Sequence, residues 1–337
     1  MDCHLLVPDL FWPSAAGKEA SRGLALPALE TIFARADTTR TAGSGVERWL
    51  AGAYGLPADL PLAPFSLQGD GHDPGENIWM HADPTHLKVH GDRLILADAS
   101  RLSITEEEAR DFATALNAQL APEGIEFIAA RPNRWYVRVP DNPRIGTAPT
   151  SEVAGRNIDP LLPSGEQGRR WRRILNEAQM MLHAHPRNAA REAGRALPVN
   201  SLWFWGAGKI SRPAPAYEAV WTDDPLAGGL AAASTRLPRR LPASPNAVLD
   251  TAGARSSLVV INVLPSTAYG DIAAWRAAAS TLEQKWLAPL LAALSEGRLE
   301  TLTVHGLGPD YGYTAALTKN SRFRFWRGKR PLHAYAA

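Results

Sequence analysis

Apolar positions along the chain fall into two rhythms. The uninterrupted run Leu5-Leu6-Val7 after His4 stops at Pro8-Asp9 and predicts a buried first strand that ends on an acidic residue. In 26–35, Leu26, Leu29, Ile32 and Phe33 recur at helical spacing, and Pro27 suits a first-turn position. Residues 45–53 predict a further short helix, whereas 56–77, rich in Pro, Gly and Asp, reads as mostly loop.

A separate pattern begins near Asp83. Residues 93–97 predict a strand and 103–120 a helix, with Ser103 or Thr105 as its cap. Glu106, Glu107 and Glu108 favour the positive end of that helix, and Ala109, Phe112, Ala113 and Leu116 make one apolar face. Strands at 125–129 and 135–139 follow, then a linker-like stretch over 140–168. Beyond it, 169–183 repeats apolar residues at helical spacing, and 201–205 is an apolar strand running into Gly206-Ala207-Gly208. Residues 257–264 read as a fully buried strand. Residues 272–294 predict a helix with Trp275, Leu282, Trp286, Leu290 and Leu294 on one face and a kink at Pro289. Strands at 299–304 and 322–326 close the chain. Buried strands alternating with amphipathic helices predict an α/β domain with a mostly parallel sheet, and the strand–helix–strand–strand order after Asp83 predicts a compact α+β cap.

Composition changes this picture little. The chain has 337 residues, 36 Lys+Arg against 34 Asp+Glu and 45% hydrophobic residues, enough apolar material for a substantial core and too little net charge for a dedicated nucleic-acid binder. A single cysteine, Cys3, excludes an intramolecular disulfide and a cysteine-built metal cage. The first dozen residues lack the basic start and apolar length of a secretion signal. No stretch reaches the roughly 18 consecutive apolar residues of a membrane span. The expectation is a cytoplasmic protein without membrane or nucleic-acid partners.

Several residues could carry chemistry. Asp9 ends a strand, where open α/β sheets bind ligands, although a turn residue would look the same. His305 before Gly306 invites the same two readings. His185, Asn188 and Arg191 could grip a small anion through the Arg fork; the alternative is that His185 and Asn188 cap the preceding helix while Arg191 pairs with Glu192 or Glu177. His81, Asp83, His86 and His90 have ligand-like spacing in an apparent loop. Gly206-Ala207-Gly208 is either a tight turn or a phosphate cradle. Phe323, Phe325 and Trp326 between Arg322, Arg324, Arg327, Lys329 and Arg330 read as an edge strand with its charges outward.

The run His185-Pro186-Arg187-Asn188-Ala189-Ala190-Arg191, then Gly194, Leu197-Pro198-Val199-Asn200 and Trp205-Gly206-Ala207-Gly208, resembles the HPxNxxR…GxxPAN…RGAG pattern of the archaeal-type cofactor-independent (2,3-bisphosphoglycerate-independent) phosphoglycerate mutases and their bacterial relatives, within the alkaline-phosphatase-like superfamily. Ile104-Thr105-Glu106-Glu107-Glu108-Ala109 with Leu116-Asn117 resembles the insert of that family. The resemblance implies an alkaline-phosphatase-like core over 1–82 and 165–337, with a mostly parallel sheet flanked by helices, and an inserted α+β cap over 83–164.

The resemblance also implies two divalent cations, manganese or zinc, held by Asp and His residues beside a Ser that becomes phosphorylated. Asp9 stands where the first metal-binding Asp is expected, but the following Gly is Leu10. The nucleophile falls near Asp59-Leu60-Pro61, which has no hydroxyl, and Ser66 is the nearest alternative. The late metal segment becomes Leu264-Pro265-Ser266-Thr267-Ala268-Tyr269, the acidic partner after Leu282-Glu283 becomes Trp286, the Asp-His pair becomes Val304-His305, and the phosphate-touching Arg becomes Trp205. Two hard cations roughly 4 Å apart need several carboxylates to offset their repulsion. The expectation is therefore a degenerate homologue without cofactor, acting through a small phosphorylated or carboxylated ligand at His185, Asn188 and Arg191 or in regulation, with Trp205 and Trp286 filling a former metal pocket. The alternative is an active metal-dependent mutase or phosphotransferase using Asp9, Ser66 and His305 with manganese or zinc.

Overall fold

The computed structural model describes residues 1–57, 59, 61–251 and 254–335, apart from the side chain of Arg322. The chain divides into two compact units, Met1–Leu50 with Ala214–Ala337, and Ala51–Pro213. Among the described residues no helix is long and apolar enough to cross a membrane.

The first unit is built on a seven-stranded sheet. Its strands run Pro238–Arg239, Ala219–Trp221, Ser256–Val260, Asp2–Val7, Thr301–Gly306, Tyr311–Thr318 and Asp37–Ala42 in spatial order. The first five pair in parallel and the last two are antiparallel. Asp2–Val7 is central because it is apolar on both faces, Leu5, Leu6 and Val7 having no exposed surface. Leu5, Val7, Val259 and Val304 join Leu29, Ile32, Trp275, Leu290 and Leu294 from the helices Pro27–Arg35, Ile272–Leu282 and Ala288–Ser295 in one core. This is the mixed α/β architecture that the strand pattern predicts. The bend expected at Pro289 takes the form of a wide π-type turn over Glu283–Leu287, immediately before the proline. A proline removes one N–H and crowds the carbonyl four residues earlier, and a wider turn relieves both.

The second unit has a five-stranded antiparallel sheet. Its spine is the long strand Ile78–His90, which pairs with Arg134–Val139, Arg93–Ala97 and Ser201–Gly208, and Glu126–Arg131 extends it. One face carries Met80, Ala82, Val137, Leu202 and Phe204 against Phe112 and Leu116 of Glu106–Leu120 and Trp171, Ile174 and Leu175 of Gly168–Ala184. Thr105, not Ser103, caps the first of these helices. Thr105 Oγ1 accepts from Glu108 N at 3.2 Å while Thr105 N donates to Glu108 Oε2 at 2.8 Å, a reciprocal cap of about 1 kcal/mol.

The compact insert is thus Ala51–Pro213, wider at both ends than 83–164. The reason is pairing: Ser201–Gly208 completes the insert's own sheet, and Gly168–Ala184 covers it. Residues 63–69, expected as loop, form the helix Ala63–Gly69 with Pro64 in its first turn. The last expected strand, 322–326, is instead a 3-10 turn at Ser321–Phe323 followed by irregular chain. Of the antiparallel strands of the first sheet, Asp37–Ala42 carries Thr and Arg rather than an apolar run, and Tyr311–Thr318 breaks its apolar positions with Gly312 and Thr314, which hid them.

Candidate functional site

Asp9 lies just past the C-terminal end of the central strand with φ at +55°, an unusual conformation for a side chain other than Gly. Its Oδ1 accepts two hydrogen bonds at 3.1 Å, from Thr267 N and Thr267 Oγ1, and its carbonyl accepts from Trp275 Nε1 at 2.8 Å. Thr267 opens a 3-10 turn, Thr267–Tyr269, capped by Ser266. The late segment that the resemblance marks for metal ligands therefore does reach Asp9, but offers it a neutral hydroxyl and an amide.

His305 pairs in register with Leu6 and lies on the sheet face opposite Val304 and Leu5. Its Nε2 is 3.1 Å from His4 Nδ1 and its Nδ1 is 3.1 Å from Thr314 Oγ1. Trp49 covers the ring with centroids 4.7 Å apart. Burial, with a smaller contribution from His4, pulls the His305 pKa down to about 3, so the imidazole is neutral near pH 7. Both ring nitrogens already have protein partners. Among the described residues no group of three or more His, Cys, Asp or Glu side chains is placed to hold a metal ion. These residues do not fit a paired-cation centre. Ser66 is buried within Ala63–Gly69 of the second unit, whereas Asp9 and His305 belong to the first. Leu60 lies outside the described residues.

His185, Asn188 and Arg191 do come together, around the helix Pro186–Ala193. His185 Nδ1 accepts from Arg187 N at 3.2 Å and caps that helix, while its backbone N–H donates to Leu182 O and closes the helix before it. Asn188 Nδ2 donates to Leu182 O at 2.7 Å and Val199 O at 2.8 Å, and its Oδ1 accepts from Val199 N at 2.9 Å. Arg191 Nη1 donates to both oxygens of Glu108 at 2.9 Å, Nε donates to Leu197 O at 2.9 Å, and Nη2 to Leu102 O. Burial pushes the Glu108 carboxyl up, but the Thr105 amide and the Arg191 guanidinium outweigh it and hold it below the usual range. Arg191 is thus answered by Glu108 and not by Glu192 or Glu177. The three residues brace the start of one helix against the start of another.

The histidine-rich stretch is a strand, not a loop. Alternation sends His81 and Asp83 to one face and His86 and His90 to the other, so they do not converge. His86 Nδ1 contacts Pro198 O at 2.9 Å. Gly206-Ala207-Gly208 is likewise not a tight turn but the bulged end of Ser201–Gly208, where Gly206 has φ +73°. Trp286 packs into the first unit's core, whereas Trp205 belongs to the second unit.

Sequence reasoning missed the polar face of the insert's sheet. Asp83 Oδ2 accepts from Trp205 Nε1 at 2.7 Å and from Thr150 Oγ1. His81 stacks on Trp205 with centroids 4.0 Å apart and planes within 1°, lies 3.5 Å from Asp83 Oδ1, and has among the described residues no hydrogen-bond partner on either ring nitrogen. The period-two spacing of His81, Asp83 and Thr85 was the available signal.

Residues 76–188 match the family model of 2,3-bisphosphoglycerate-independent phosphoglycerate mutase. The phosphoglycerate mutase of Methanosarcina barkeri is 30% identical over 122 residues, 36% of this chain and 31% of that protein. The probable mutase of Geobacter sulfurreducens is 29% identical over 127 residues, 37% and 32%. The matching stretch spans about a third of these curated relatives. Among solved structures, the cofactor-independent phosphoglycerate mutase of Thermoplasma acidophilum superposes with a TM-score of 0.50 at 17% identity, covering 94% of this chain and 90% of that one. A Pyrococcus horikoshii protein gives 0.57 at 13%, covering 94% and 87%. The chain therefore resembles the cofactor-independent phosphoglycerate mutases in sequence over its insert and in fold over nearly its whole length. The family match contains Glu108, His185 and Asn188; it contains neither Asp9 nor His305.

Proposed function

We propose that this chain is a degenerate, non-catalytic relative of the cofactor-independent phosphoglycerate mutases that binds a small phosphorylated or carboxylated ligand in a regulatory role. The observation that supports this most is the Asp9 carboxylate held by Thr267. Where paired-metal chemistry needs several carboxylates and histidines around two cations, Asp9 meets an alcohol and an amide, and His305 meets a second imidazole and a threonine. The anchoring of Asn188 and Arg191 to backbone carbonyls and Glu108 argues that this segment serves the fold of the insert rather than the grip on an anion.

The competing reading, an active metal-dependent mutase or phosphotransferase, draws on the placement of Asp9 and His305 near the C-terminal ends of adjacent parallel strands. Metal analysis of the purified protein, with an assay interconverting 3- and 2-phosphoglycerate, separates the two. The expected result is neither stoichiometric manganese or zinc nor turnover. Two bound metals with turnover abolished by Ser66→Ala would replace the proposal with the competing reading.

A further inference from the structure

The second unit contains a cavity of about 330 Å³ whose walls include Asp59, Asn142, Arg144, Thr147, Trp205 and Gly206. That volume suits a small metabolite. Its walls are held in place from behind. Trp205 is fixed by its indole bond to Asp83 and by the His81 ring stacked on it. The same Asp83 oxygen accepts from Thr150, and Trp203 Nε1 donates to Ala148 O at 2.9 Å, so the segment lining the cavity is tied to the sheet at two points. Asn142 Oδ1 accepts from Arg144 N at 3.0 Å and supports the positive φ of Arg144, +46°. His81, 3% exposed and with both ring nitrogens unpartnered among the described residues, backs the indole.

We propose that this cavity binds a neutral zwitterion of the α-amino-acid type with an apolar or aromatic side chain, its carboxylate on Arg144, its ammonium on Asp59 and its body against Trp205. This narrows the ligand of the reading above to the carboxylated class, and it rests on that reading only in taking the chain as a binding protein. The charges on the walls are of opposite sign. Arg144 is paired with Glu166 at 2.9 Å, but both side chains are well exposed, and such a pair contributes little and yields to a better-placed carboxylate. Asp59 is exposed, forms no ion pair among the described residues, and is available to a cation. A doubly charged phosphate ester would set its negative charge against Asp59 and gain nothing from Trp205.

Calorimetric titration of the full chain with L-phenylalanine, 3-phenylpropionate (no ammonium), 2-phenylethylamine (no carboxylate) and 3-phosphoglycerate tests the assignment. L-phenylalanine is expected to bind at least about tenfold more tightly than either truncated analogue, one lost charged contact being worth that much. Arg144→Ala should weaken L-phenylalanine and 3-phenylpropionate about tenfold and leave 2-phenylethylamine unchanged; Asp59→Asn should weaken L-phenylalanine and 2-phenylethylamine about tenfold and leave 3-phenylpropionate unchanged. Both residues are exposed, so the variants fold. Binding of 3-phosphoglycerate without L-phenylalanine overturns the zwitterion and leaves the broader reading intact. Binding of L-phenylalanine that neither variant alters overturns the location. Binding of none of the four compounds overturns the inference, whereas metal content and turnover alone decide the broader reading.

Discussion

Arg191 and Glu108 meet in a two-to-one contact, the Nη1 of the arginine lying 2.9 Å from both carboxylate oxygens. Both side chains are largely buried, and the guanidinium also serves the carbonyls of Leu102 and Leu197. Removing Arg191 leaves the Glu108 charge largely buried and two carbonyls without this donor. Arg191→Ala is expected to lower stability by about 3–5 kcal/mol in urea unfolding. A loss below about 1 kcal/mol, the range of an exposed pair, would contradict the brace.

Asn188 gives a sharper test, because Asp has nearly its shape. Asn188→Asp replaces the amide that donates to Leu182 O and Val199 O with an oxygen facing two carbonyls. A loss of about 2–5 kcal/mol at pH 7 is expected. The introduced carboxyl would titrate above its unfolded value, so the lost stability should return in part as pH falls and the acid protonates. A loss independent of pH would show that the carbonyls are not the cause.

Glu283 sits at the opening of Pro27–Arg35, its Oε2 accepting from Leu29 N at 3.1 Å and its Oε1 from Ala28 N. Glu283→Ala should cost about 1–2 kcal/mol, the worth of a helix cap with its dipole interaction. Burial, and to a lesser degree Glu30, push the Glu283 carboxyl above its usual value. A raised acid favours the fold fully below the unfolded pKa of about 4.3, and that contribution fades as pH rises through the folded value. Glu283→Gln should flatten this decline, measured as urea midpoints from pH 4 upward.

His305 works in the opposite direction. Its pKa falls from the ordinary value of about 6.5 to about 3 through burial and the neighbouring His4. The folded state holds the proton less tightly, so the contribution is complete above the ordinary value and is lost as pH falls towards about 3. His305→Gln, which keeps polar groups near His4 and Thr314, should unfold less steeply with acid between those limits. Identical acid profiles for the two proteins would exclude His305 as a source of acid sensitivity.

The fold was legible where side chains repeat. Leu5-Leu6-Val7, the Thr105 cap and the Trp275–Leu294 face each carry a periodic or capping signal that local physics enforces. The strand Asp37–Ala42 was not legible, because an exposed edge has no apolar rhythm to read. Ile78–His90 escaped for another reason: its inward face alternates His81, Asp83 and Thr85, polar residues that look like a loop until the sheet explains them. At the candidate site, Asp9 was placed correctly at a strand end, but its partner Thr267 lies 258 positions away, and no spacing rule links such residues. Arg191 by its type suits either an anion or a neighbouring glutamate; only the three-dimensional neighbourhood identifies Glu108 as its partner.

The wide turn at Glu283–Leu287 amounts to one additional residue in an otherwise regular helical ladder. Because the wide turn absorbs that residue, excising one of those five would restore the regular ladder and leave later residues on their present faces, so Leu290 and Leu294 would keep their places in the core. In the regular turns on either side the same excision would rotate everything after it by about 100°. A single-codon deletion within Glu283–Leu287 should therefore be tolerated better than one in the flanking helices.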